Sequence, residues 1–381
     1  MKICIISDVF YPYLMGGAER RYWEISKRLA KKHDVHVYTM RWYDYPKEEE
    51  VFGVKIHRLN VPKGLYTKGR RSIGDALRFA FSLLPIIIKK HKFDLIEANQ
   101  FPFLHLFPAK IIAMRETAPL IITWHEVWGK YWDIYMENAL YRAIGKSIEQ
   151  ISSYLPDKIV AVSGKTKKHL IKKLGVNPMK IDIVPNGINL GYINTIKSKK
   201  IKNRVLYAGR LLPHKNLDVL INAMPKVLEV FPDATLNIVG EGPSKGELED
   251  MTNSLGINNK VKFLGQIDYE EVIKQIKSAS IFVQPSTREG FGISIVEAMA
   301  CKTPVIGVNA RNSSVSEIIN GENGILCELN EISTKIKEVL TSDSLRVILI
   351  KNGYKYSTNM DWQRRFEEIN STYRKCLSSY S

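Results

Sequence analysis

Two carboxylates bracket a glycine-rich turn at residues 289–297, EGFGISIVE, directly after an apolar run. Gly290 and Gly292 free the backbone for close approach to a ligand, and the N–H groups of a following helix point the same way. Glu289 falls in the loop, and Glu297 falls about one and a half turns into that helix. Carboxylates accept hydrogen bonds from hydroxyl donors. The spacing therefore suits hydroxyls at opposite ends of one small molecule, such as a sugar and a ribose. Two solvated helix charges would be the plainer reading, but it leaves the glycines and the preceding strand without a purpose.

Arg210 and Lys215 form a second constellation, in YAGRLLPHKNLDVL. A strand ends in glycine, an Arg follows, and a Lys stands five positions on where a helix begins. A guanidinium fork plus an ammonium at a helix start makes a diphosphate clamp, able to stabilise charge on a leaving nucleotide diphosphate. Taken alone, surface charge at a helix start reads as ordinary. Gly16 and Gly17 precede an amphipathic helix and offer backbone to an anion; a simple loop pair is the alternative. His125 follows a strand in ITWHEVWGKYW. It suits a sugar hydroxyl or charge at a reacting carbon, or else a backbone carbonyl.

Other patterns carry less. SGKTKK at 163–168 resembles a P-loop, but Ile159 stands where the first glycine belongs, so Ser163 reads as a helix N-cap. VGEGPSKG lacks dinucleotide spacing and its acidic partner. No Asp-x-Asp pair occurs and the histidines show no ligand spacing, so no metal site is expected.

These residues need strands to end where they begin. Strand patterns fall at 2–7, 35–40, 54–59, 93–98, 120–124, 158–162 and 181–184, with helices at 18–32, 73–90, 137–153 and 163–174. A second run places strands at 205–208, 235–239, 261–264, 281–284 and 304–308. Strand–helix alternation predicts parallel sheets with helices on both faces, and two runs predict two doubly wound domains. The expected division is an N-terminal domain at 1–185, a polar, basic linker at 186–203 and a C-terminal domain at 204–360. A last helix at 361–378 is expected to pack back on the first domain. Because ligands bind beyond the carboxyl ends of such strands, all four constellations are expected to face one inter-domain cleft.

At 381 residues, two domains are also the natural size reading. The net charge of +17 is uneven: residues 1–190 hold 31 basic against 18 acidic side chains. Such an excess implies an anionic partner for the first half, such as a lipid surface, a phosphate-bearing acceptor or a nucleic acid. Cys4, Cys301, Cys327 and Cys376 lack paired spacing and suit reduced, buried thiols in a cytoplasmic setting. The opening MKICIISDVF reads as a strand rather than a signal peptide, and the apolar stretches near 79–88 and 101–114 are too short to span a membrane.

In combination the motifs resemble the GT-B glycosyltransferases, specifically the large retaining family 4. The resemblance covers nearly the whole chain and rests on the early glycine pair, TWHE, GR…KN, FLGQI and the glutamate-bracketed segment running into AMACKTPVI. It implies an α/β fold of two Rossmann-like domains and a nucleotide-diphosphate sugar as co-substrate, with no separate cofactor. Gly16 and Gly17 then match the loop closing on the diphosphate, His125 the histidine facing the donor sugar, and Arg210 with Lys215 the diphosphate pair. Glu289 matches the glutamate facing the transferred sugar, beside backbone from Gly290, Phe291, Gly292 and Ile293. Glu297 matches the ribose carboxylate, and Gln266 with Ile267 the segment meeting the base. Two departures stand out: Ser313 and Ser314 replace a common glycine pair, and Glu126 stands where aspartate is common.

The resemblance implies transfer of a hexose from a UDP- or GDP-sugar to a glycan or lipid-linked acceptor, with retention and without metal. The basic stretch at 63–92 is the surface expected to meet an anionic membrane, from the cytoplasmic side. An epimerase or hydrolase acting on sugar nucleotides is the second enzyme reading. A nucleic-acid-binding protein is a remote third, since no such module is present and aromatics do not interleave with the basic runs.

Overall fold

The computed structural model describes residues 1–13, 16–64, 66, 67 and 70–380. The chain forms two compact units, Met1–Pro185 with Arg365–Ser381, and Asn186–Arg364. The first is built on an eight-stranded sheet. Its order is Ile181–Ile183, Lys158–Ala161, Leu120–Trp124, Leu95–Asn99, Lys2–Ile6, Asp34–Thr39, Val54–Arg58 and Glu48–Val51. All neighbours run parallel except the last pair, which is an antiparallel hairpin. Strands covered on both faces must be apolar throughout, and Leu95–Asn99 and Leu120–Trp124 are buried at every position. Cys4, Ile6, Ile96, Ile122, Phe103 and Trp124 lie in the core.

The helix expected at 73–90 is two helices, Ile73–Ser82 and Leu84–Ile88. Pro85 has no N–H to give to the preceding turn, and its ring crowds the carbonyl four residues back, so the chain starts a new helix there. Glu48–Val51 escaped sequence reading because three consecutive glutamates on an edge strand show no apolar alternation.

The second unit is a six-stranded, all-parallel sheet. Its order is Val261–Gly265, Thr235–Val239, Arg204–Ala208, Ile281–Gln284, Val305–Val308 and Ile325–Cys327. Ile325–Cys327, only three residues long, carried no signal of its own. Residues 186–203, expected as a linker, are built into this unit. Asn189 caps the helix Leu190–Thr195, and the Lys200 ammonium donates to Ala279 O at 2.6 Å and Thr303 Oγ1 at 2.9 Å. Polar residues that read as a spacer act here as a cap and a tie. The last helix runs Trp362–Tyr380. From Arg365 on it belongs to the first unit, where Thr372 donates to Asp182 at 3.0 Å. The four cysteines are buried free thiols.

Among the parallel strands of each large sheet, chain order reverses at one point. In the first unit it lies between Lys2–Ile6 and Leu95–Asn99, and in the second between Arg204–Ala208 and Ile281–Gln284. The loops leaving such neighbours part toward opposite faces and open a crevice at the carboxyl edge.

Close packing also yields a stability test in the first unit. A Cβ on Gly145 would stand 2.5 Å from the Trp132 ring, and the Trp132 indole donates to the buried Glu149 at 2.9 Å. Gly145→Ala is expected to lower stability by about 1–3 kcal/mol in urea unfolding followed by tryptophan fluorescence. An unchanged midpoint would contradict this packing.

Candidate functional site

In the second unit both loops at the reversal point carry residues singled out from sequence. After Arg204–Ala208 the chain passes Arg210 and makes a single 3-10 turn, Pro213–Lys215. Asn216 then enters a left-handed conformation, φ 50°, that asparagine tolerates, and starts the helix Leu217–Leu228. Its side-chain amide donates to Pro285 O at 3.0 Å and Thr287 Oγ1 at 3.1 Å. Thr287 N donates to His214 O at 3.2 Å. The two loops are thus stitched together through Asn216.

Across this seam the Lys215 ammonium meets Glu289 Oε1 at 2.6 Å, with both side chains largely buried. Gln284, at the end of its strand, donates to the same oxygen. A buried pair of this kind holds geometry, because neither charge can leave without stranding the other. Arg210 is placed from behind: the Tyr207 hydroxyl donates to its carbonyl at 3.0 Å. Burial, reinforced by the charge of Glu289, keeps that phenol protonated well above its usual range.

Residues 288–289 pair in parallel with 312–313 in a small separate ladder. Ser314 N and Oγ both donate to Glu289 O, at 2.9 and 3.1 Å. Ser314, one of the two serines that depart from the family pattern, therefore supports the Glu289 carbonyl. Gly292, at φ +87°, takes a left-handed turn that a side chain would strain, and opens the helix Ile293–Ala300. Gly290 lies half-buried, Phe291 is buried and Ile293 half-buried along this turn. Glu297 is buried one turn in and accepts from the Tyr269 hydroxyl at 2.9 Å. Gln266, exposed, and Ile267, half-buried, follow the strand Val261–Gly265.

The glycines of VGEGP have a structural purpose. Gly240 sits at φ +128° so close to the 209–211 loop that a Cβ would stand 2.0 Å from Gly209 O. Leu211 N donates to Glu241 O at 3.0 Å. They let two strand-end loops nest, and so brace the backbone of Arg210.

In the first unit Gly16 caps the helix Gly17–Leu29 in extended conformation; Leu14 and Met15 of that loop lie outside the described residues. His125 follows Leu120–Trp124 with its backbone fixed at both ends. Its N–H donates to the Gln100 side chain, and its carbonyl accepts from Thr166 Oγ1 at 3.1 Å. Ser163 caps the helix Gly164–Leu174 by accepting from Thr166 N. The His125 Nε2 is sealed from solvent with no hydrogen-bond partner among the described residues. Burial, and next the positive charge of buried Arg21, push its pKa down to about 3, so the ring is neutral. Arg21 donates to Val184 O and Pro185 O, both at 3.0 Å.

The supporting roles of Gln100, Thr166, Asn216, Gln284 and Ser314 were missed by sequence reading. All but Gln284, which reaches five residues on, act on partners far along the chain; Asn216, next to Lys215, carried a local cue and Ser314 showed only as a departure from the family pattern.

The His125 ring is expected to stay neutral from pH 8 to 4 in nitrogen-15 NMR. In the unfolded chain it titrates near 6.5, so acidification below that value favours unfolding, progressively toward pH about 3. A native-state titration near 6.5 would contradict the sealed environment.

Comparison with known proteins agrees with this architecture. Residues 15–192 match the family model described as Glycosyltransferase Family 4, and residues 192–356 match Glycosyl transferases group 1. An uncharacterized glycosyltransferase of Methanocaldococcus jannaschii is 27% identical over 379 residues, 98% of each chain. Sucrose-phosphate synthase from Thermosynechococcus elongatus superposes with a TM-score of 0.84 at 20% identity, over 100% of both chains. Anabaena HepE, solved with UDP-glucose, gives a TM-score of 0.77 at 20% identity, over 98% of this chain and 100% of its own. With both family models contiguous from residue 15 to 356 and the GT-B fold shared end to end, the chain belongs to glycosyltransferase family 4.

Proposed function

We propose that this glycosyltransferase moves a hexose (glucose, mannose or an N-acetylhexosamine) from a UDP- or GDP-sugar to a glycan or lipid-linked acceptor. Transfer retains configuration and uses no metal ion. The observation that carries this reading is the cluster of Arg210, Lys215, Glu289 and the Gly290–Gly292 turn at the chain-reversal point of the second sheet.

In this reading Arg210 and Lys215 neutralise the pyrophosphate, with the N-terminus of Ile293–Ala300 adding its N–H groups. Fixed cations of this kind supply the charge stabilisation needed as the nucleotide diphosphate departs. Glu289, oriented by Lys215 and Gln284, accepts from a hydroxyl of the transferred sugar, beside the backbone of Gly290, Phe291, Gly292 and Ile293. Glu297 accepts from the ribose, and Gln266 with Ile267 meet the base. From the first unit, Gly16 and Gly17 serve the diphosphate. His125, being neutral, serves as a hydrogen-bonding group rather than an acid. The acceptor hydroxyl attacks the face the diphosphate leaves and gives its proton to the departing phosphate oxygen. Positioning and electrostatics, not a protein nucleophile, lower the barrier.

The acceptor's setting is read from the first unit. Ile73, Leu77, Phe81, Leu84 and Ile88 form an exposed apolar stripe along its paired helices, Phe81 being 64% and Ile88 72% exposed. No acidic residue occurs between Asp75 and Asp94, while Arg78, Lys89, Lys90 and Lys92 do. Leu65, Lys68 and Gly69 of the basic stretch lie outside the described residues. Apolar residues rimmed by cations suit the interface of an anionic bilayer. Among the described residues no helix is long and apolar enough to cross one.

Saturating UDP- or GDP-sugar is expected to raise the melting temperature by several degrees. Arg210→Ala should remove that rise while leaving the ligand-free melt in place, and no rise with any sugar nucleotide would refute the donor reading. Proton NMR of the first product should show the donor's anomeric configuration; inversion would refute the mechanism. For the membrane contact, co-sedimentation should occur with phosphatidylglycerol vesicles and not with phosphatidylcholine ones. Equal binding to both would count against it.

A further inference from the structure

An aromatic cluster that none of these roles uses sits at the carboxyl edge of the first sheet. Tyr13, in the loop after Lys2–Ile6, stacks on Trp42, in the loop after Asp34–Thr39, with centroids 5.4 Å apart and planes 19° apart. Tyr43 meets Tyr13 edge-on at 5.1 Å and Tyr45 at 6.1 Å. The Arg58 guanidinium lies 5.3 Å over the Tyr45 ring. Lys2–Ile6 and Asp34–Thr39 are parallel neighbours, so both loops leave the sheet on one edge. Tyr13 stands three residues before Gly16 in the same loop.

Trp42 anchors the cluster. The Trp42 indole N–H donates to Asp8 O at 2.8 Å, a carbonyl that also takes Thr39 Oγ1 at 3.3 Å and Met40 N at 3.3 Å. With its polar edge committed and one face stacked, the tryptophan cannot swing. The cluster is also turned to water: Tyr43 is 54% and Tyr45 37% exposed. Arg41, Asp44 and Lys47 surround them in the sequence. Two stacked rings with two more set edge-on beside them at a strand edge, and charged groups around them, are poorly explained as core. They match a pyranose, whose polarised C–H bonds meet the negative face of an aromatic ring while its hydroxyls reach polar groups around it. An acyl chain has no use for such a rim.

We propose that Tyr13, Trp42 and Tyr43 form a stacking platform for a sugar ring of the acceptor. The inference rests on the glycosyltransferase reading and narrows it, since the acceptor must then already carry a pyranose.

Saturation-transfer NMR with the methyl glycosides of glucose, galactose, mannose and N-acetylglucosamine tests this, with aromatic protein protons irradiated in the presence of UDP or GDP. At least one glycoside should receive saturation on its ring C–H protons. Tyr43→Ala should weaken its binding roughly five- to tenfold, and Tyr43→Phe should restore it. Trp42→Leu provides a second variant, with the nucleotide-induced thermal shift reporting that each variant is folded. The proposal is overturned if no glycoside receives saturation, or if both variants bind like wild type. A wild-type chain that shows no nucleotide shift would instead refute the donor reading, which keeps the two failures apart.

Discussion

The Lys215–Glu289 ion pair joins two loops that the topology of the second sheet drives apart. Arg204–Ala208 and Ile281–Gln284 are hydrogen-bonded neighbours, yet the chain leaves them toward opposite faces. A largely buried ammonium and carboxylate 2.6 Å apart are costly to desolvate, and such pairs seldom add net stability. Their consequence is geometric. With Asn216 and Gln284 beside them they fix where a cation and a carboxylate stand before any ligand arrives. Charge stabilisation that needs no rearrangement at the moment of reaction is the largest contribution such a site can make.

Comparable bracing recurs in the first unit with different chemistry. His125 is held through its backbone by Gln100 and Thr166, while its ring is kept neutral by burial and by Arg21. Arg21 is itself buried, with its pKa pushed down to about 10 by that burial. Its bonds to Val184 and Pro185 end where the first unit's main segment ends. One side chain thus links the helix that starts at Gly17 to the last residues before the second unit.

How much of this was legible in the sequence depends on whether a feature is local. Buried parallel strands announce themselves as apolar runs, and strand-end residues such as Arg210, Lys215 and Glu289 follow them directly. Features set by a partner's side chain or by distant loops did not show. Ser314 gave no sign that it supports Glu289 O, Gln284 none that it reaches the Glu289 carboxylate five residues on, and Gly240 read as a failed dinucleotide motif although it braces Arg210. The polar stretch at 186–203 looked like a spacer because capping and tying residues have a spacer's composition. Pro85 was a local cue to a helix break that the apolar stretch around it obscured.

Fixed positive charge at the second unit's reversal point is expected to bind a pyrophosphate. Titration calorimetry with UDP and UMP, and with GDP and GMP, measures it most directly. The diphosphate of the preferred base should bind at least about tenfold tighter than its monophosphate, given charge-assisted contacts worth about 1.5–3 kcal/mol each. Lys215→Met should collapse that ratio. Equal affinity for the two nucleotides, or a ratio that survives the loss of Lys215, would contradict the account.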